Sequence, residues 1–157
     1  MMDPMIDFND PALTGETIRA ALALAPHPEG GWFRETWRDI PADSAKRGAA
    51  SAILFLLAEG YASAWHRVDA AEIWLWHAGW PLELDIAEGS TVRTLQLGAG
   101  LNFQGVVPAF AWQAARSTGK WSLVSCVVAP AFEFAGFELA TNLHASSAPP
   151  KPPGFAD

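Results

Sequence analysis

One cysteine, Cys126, stands in the whole chain, so no internal disulfide can form. Its plain reading is a small buried apolar residue. Charge is also scarce. Asp, Glu, Lys and Arg make up 17% of the residues while hydrophobic types reach 50%, which excludes a disordered tail and a charged coiled coil. Positive charge is the scarcer sign, with 10 Lys and Arg against 17 Asp and Glu and a net charge of -7. That balance argues against nucleic acid or an anionic membrane as partner. The longest uncharged stretch, residues 94–115, is interrupted by Gly98, Gly100, Gly105 and Pro108, so it is no membrane helix. The opening MMDPMIDFND has no basic residue, as a secretory signal would need, and a soluble cytoplasmic protein is expected. A P-loop, a dinucleotide fingerprint, a nucleophile elbow and an internal repeat are all missing.

Tryptophan is abundant instead: eight, against one tyrosine. Tryptophan favours strands and brings a large apolar surface with one polar handle. It suits a β core, a subunit interface, or the wall of a pocket for a planar or sugar-like ligand. Residues 1–13 are expected to form an extended arm. Thr14 is a candidate N-cap for a helix through TGETIRAALALAP, stopped by Pro26. After the turn PHPEGG, the run WFRETWR alternates, placing Phe33, Glu35 and Trp37 on one face. SAILFLLA is a continuous apolar run, expected to be a strand buried on both faces. Short strand-like segments then recur, about nine in all, which predicts an all-β sandwich or barrel after one N-terminal helix. Residues 14–140 are taken as one domain, and 141–157, with Pro149, Pro150, Pro152 and Pro153, as a loose tail.

Chemistry concentrates in GYASAWHRVDAAEIWLWHAG. His66 and Val68 share parity on one strand, and Glu72, Trp74 and Trp76 share parity on the next. An antiparallel hairpin between the two strands would put His66 and Glu72 on a common face. A buried imidazole beside a carboxylate is a metal half-site or an acid–base pair. His77 has the opposite parity and is expected outside. His27 reads as a turn residue, and His144 as solvated near the tail.

The spacing of Gly60, His66, Glu72 and Gly79 resembles the first motif of the cupin superfamily, except that Val68 stands where that motif has its second histidine. The second motif is present in weaker form in VVPAFAWQAARS, with Gln113 where a ligand histidine is usual. The strings PHPEGGWFRETWR, AILFLLAEG and VAPAFEFAGFEL narrow the resemblance to the fifth cupin domain family, a domain of unknown function. The resemblance implies a double-stranded β-helix, or jelly roll, over most of residues 27–140. Gly31, Phe33 and Glu35 further resemble an element of nucleotide-sugar epimerases that contacts ligand.

The expectation is a barrel that binds a small polar or sugar-like molecule. It would act as an isomerase or epimerase with His66 as base and Glu72 as its partner. Phe33, Glu35, Trp74, Trp76 and Gln113 are the candidate ligand contacts. A non-catalytic binding module is the alternative. A divalent metal on His66, Glu72 and Gln113 is a further one, weakened by Val68 and by the poor donor strength of an amide. The apolar excess predicts a homodimer.

Overall fold

The computed structural model describes residues 5–140. Helix α1 (Gly15–Ala21) starts where the sequence predicts, with the Thr14 hydroxyl accepting the Thr17 N–H at 3.1 Å. It ends several residues before Pro26. Ala23 takes φ +53°, while Leu24 N–H reaches Arg19 O and Ala23 N–H reaches Ala20 O. This closing motif usually uses glycine at the left-handed position, so alanine there hid the stop. Of the expected extended arm, the described part, residues 5–13, is not extended. It turns twice, at Asp7–Asp10 and Asp10–Leu13, and packs Ile6 and Leu13 onto the molecule.

Eleven strands follow among the described residues: β1 (Ala25–Pro26), β2 (Trp32–Arg38), β3 (Ser51–Ala58), β4 (Ser63–Val68), β5 (Ala71–Gly79), β6 (Leu82–Glu88), β7 (Thr91–Leu97), β8 (Gln104–Val107), β9 (Trp112–Ser117), β10 (Trp121–Ala129) and β11 (Phe137–Leu139). They form two antiparallel sheets, β1-β2-β3-β10-β5-β8 and β11-β4-β9-β6-β7. The architecture is the jelly-roll barrel that the resemblance implied.

Between the sheets lies a core of Phe55, Leu57, Trp74, Leu84, Ile86 and Val124, with further apolar neighbours. Outside the larger sheet, α1 lays Ile18 and Leu22 over Leu56 and Leu123. Strand β3 is therefore buried on both faces, Phe55 and Leu57 inward and Leu56 under the helix, as its unbroken apolar run predicts.

Two local irregularities aim the side chains that matter. The register of β2 slips between Glu35 and Trp37. Such a bulge reverses parity. Phe33 and Glu35 thus face the interior, Trp37 turns out to 53% exposure, and Arg38 comes back inward. The expected common face of Phe33, Glu35 and Trp37 does not exist.

The second irregularity concerns β4 and β5, which do not pair as a hairpin. Strand β4 pairs with β9 and β11, whereas β5 pairs with β10 and β8. The turn at Asp69–Ala70 carries the chain from one sheet to the other. His66 and Glu72 consequently approach from opposite walls of the barrel.

Candidate functional site

At one end of the barrel the two sheets part around a cavity of about 160 Å³. His66 and Val68 reach it from β4, Glu72 from β5, Cys126 from β10, and Phe33 and Glu35 from β2. His27 and Glu29 enter from the turn before β2. Exposed Glu35, Glu133 and Phe134 mark its mouth.

Glu29 was not singled out in the sequence, yet it lies at the centre of the site. It is buried to 7% exposure. One carboxylate oxygen accepts from the Ser63 hydroxyl at 3.0 Å, and the other lies 3.1 Å from His66 Nε2. Its placement depends on the glycine pair that follows. Gly30 (φ +104°) and Gly31 (φ +73°) both sit in the left-handed region. A Cβ on Gly30 would meet Ala62 O at 2.3 Å. The turn therefore presses against the start of β4, where Ala64 N–H donates to Glu29 O at 2.7 Å. The legible signal was PEGG, an acid immediately before two glycines.

The hydrogen bonds fix the tautomers. His66 Nδ1 lies 2.7 Å from Ala64 O, and a carbonyl only accepts, so Nδ1 carries the hydrogen. In the neutral ring Nε2 is then a lone pair directed at Glu29. Two acceptors 3.1 Å apart require a proton between them, on the carboxyl or on the imidazole. Burial pushes Glu29 up to about 7 and holds His66 below its ordinary 6.5, two directions that both favour the proton on the carboxyl. His27 takes the turn role expected of it, its carbonyl accepting the Gly30 N–H at 3.0 Å, and it also lines the cavity. Its ring is buried against Phe33, 4.5 Å between centroids, and Nδ1 accepts the Glu29 N–H at 3.1 Å. Burial lowers its pKa too.

Glu72 forms the facing wall. Its carboxylate accepts from Gln113 Nε2 at 2.6 Å, and burial raises it to about 7. The Cys126 thiol also bonds to Glu72, and burial keeps it protonated. Gln113 stands behind Glu72, opposite His66 in the ladder between β4 and β9. Trp74 lies deeper, in the core, with its indole N–H on Gln113 Oε1 at 2.8 Å. Trp76 borders a different hollow, with Phe8 and Trp80. Of the five expected ligand contacts, Phe33 and Glu35 line the cavity, while Trp74, Trp76 and Gln113 do not. His77 is exposed, its ring on the Ser125 hydroxyl. His144 and the proline-rich tail lie outside the described residues.

The family model described as Cupin superfamily (DUF985) matches residues 16–140. The chain belongs to this family. Two solved structures are similar over most of both chains. A crystal structure of a Shewanella oneidensis protein is 34% identical, with TM-score 0.76, covering 81% of this chain and 84% of that one. A hypothetical protein from Leishmania major is 30% identical, with TM-score 0.72, covering 80% and 86%. Oxalate decarboxylase from Bacillus subtilis shares the fold at 12% identity and TM-score 0.58, over 73% of this chain and 29% of that one. No curated protein matches.

Many cupins bind a metal through histidines, and this cupin's donor set does not fit one. Val68 supplies no donor. The Gln113 oxygen is taken by Trp74, whose indole can only donate, so the amide turns its NH₂ toward Glu72. The His66 Nε2 lone pair faces Glu29. Among the described residues no group of three His, Cys, Asp or Glu side chains is arranged to hold a metal ion. No helix among them is long and apolar enough to cross a membrane.

Proposed function

We propose that the cavity binds a small polar molecule and moves a proton on it, as an isomerase or epimerase does. The observation that carries this reading is the 3.1 Å contact between buried Glu29 and buried His66 Nε2 at the wall of the cavity. Glu29 and Glu72 stand on opposite walls, both raised to about 7, where a carboxyl gives and takes protons at neutral pH. A proton removed from a carbon beside a carbonyl would pass to whichever of the two carboxyls is ionised, leaving the electron pair as an enolate. The other carboxyl would return a proton to the opposite face. His66 would hold the Glu29 proton in reserve, acting through that carboxyl rather than as a free base.

Size narrows the ligand. Pockets for drug-sized ligands run to about 300–1,000 Å³. A cavity of about 160 Å³ suits a single ring. Incubation with small ketoses and aldoses in D₂O, read by proton NMR, tests the proposal. Loss of one C–H signal, abolished by Glu29→Gln, is the expected result. Ligand binding with no exchange in any sugar would leave a binding module in its place. The setting we infer is cytoplasmic, and the chain a homodimer. Exposed Trp37, Ile40, Phe103 and Val106 support the dimer, and light scattering at twice 16.9 kDa tests it.

A further inference from the structure

The cavity's charge is lopsided. Four carboxyls line it: Glu29 and Glu72 inside, Glu35 and Glu133 at the mouth. Among the described residues its only lining side chain with a permanent positive charge is Arg38. That guanidinium is already paired: its charge is met by Glu35, and three of its five N–H donors are engaged. Nε and one terminal nitrogen clasp Glu35 at 2.9 and 2.8 Å, and the other terminal nitrogen donates to Phe132 O at 2.8 Å. Glu133 has a looser partner, with its carboxylate 4.0 Å from Arg47 Nε and about half exposed. Anionic groups on a ligand would therefore meet an excess of carboxyls, with the one lining cation already neutralised by Glu35.

The apolar lining has the same preference. Phe33, Phe132 and Phe134 line the cavity. Aromatic faces attract a cation, and rings combined with carboxylates are a general way to hold an ammonium group. We infer that the ligand of this cavity is a single-ring molecule carrying one protonated amine. This rests on the cavity being the ligand site, and adds the ligand's charge.

Three probes of one shape separate charge from size: cyclohexylamine, cyclohexanol and cyclohexanecarboxylate. A ring of this kind suits the space, since an apolar cavity of about 150 Å³ takes up benzene. In calorimetric titrations of the intact protein near neutral pH, the amine should bind about tenfold or more tighter than the alcohol, and the carboxylate most weakly. Glu35→Gln, an exposed and isosteric change, would release Arg38. It should cut the ratio of amine to carboxylate affinity by about tenfold. The titratable and charged groups that line the cavity are His27, Glu29, Glu35, Arg38, His66, Glu72 and Glu133, with the Cys126 thiol staying protonated; burial shifts Glu29 and Glu72 upward. Amine affinity should therefore rise between about pH 6 and pH 8 as the buried carboxyls ionise, while alcohol affinity stays flat. Equal binding of amine and alcohol, or tightest binding of the carboxylate, overturns the inference and leaves the cavity as a ligand site. If none of the three binds, both readings fall.

Discussion

Replacing Glu72 by glutamine should change how stability depends on pH. In the folded protein Glu72 is 6% exposed and burial raises its pKa from 4.5 to about 7. The folded state thus holds this proton more tightly than the unfolded chain does. The benefit of the neutral carboxyl is complete below about pH 4.5 and is lost as pH rises through about 7. At about 1.4 kcal/mol per pH unit, that interval is worth roughly 3 kcal/mol. Glutamine is neutral throughout and carries no such loss. The stability of Glu72→Gln relative to the parent should therefore rise by roughly 3 kcal/mol between about pH 4.5 and pH 8, whatever constant offset the altered bond to Gln113 adds. Urea unfolding followed by tryptophan fluorescence at several pH values measures it. A difference that stays flat with pH, or that falls, refutes a buried carboxyl at this position.

Gly30→Ala should destabilise the protein by about 2 kcal/mol or more, measured by the same unfolding assay, because a Cβ meets Ala62 O at 2.3 Å in a left-handed backbone. Arg47→Ala should make the segment around Ala131–Gly136 more open to limited proteolysis. Arg47 holds Asp69 through two hydrogen bonds, and its Nε donates to Ala131 O at 2.6 Å. Protein purified without chelator should carry less than about 0.1 equivalent of any divalent metal by elemental analysis, since the amide oxygen and the imidazole lone pair are both committed.

Much of the barrel is legible in the chain because its strands are bounded by Gly, Pro and Asp and their inward positions alternate. What escapes is local. Ala23 closes the helix in a conformation that normally advertises itself through glycine. One slipped residue in β2 reverses every inward position after it, so Arg38 replaces Trp37 at the cavity. Two strands adjacent in sequence read as a hairpin, yet β4 and β5 lie in different sheets, a choice made by partners more than 40 residues away, such as Gln113 and Val128. The same long-range pairing explains the site. His66 and Glu72 could be chosen from spacing alone. Glu29 could not, because only the folded turn brings it to His66. Trp74 and Trp76 kept their inward parity, but at depths where the barrel is filled or opens on another hollow.

The most direct measurement is the nitrogen-15 spectrum of the His66 ring, recorded through long-range proton couplings across a pH series. A proton fixed on Nδ1, with Nε2 accepting from Glu29 and the ring still neutral below about pH 6.5, is the expected pattern. A proton on Nε2, or a ring that titrates like a free histidine, would contradict a proton shared between the two residues.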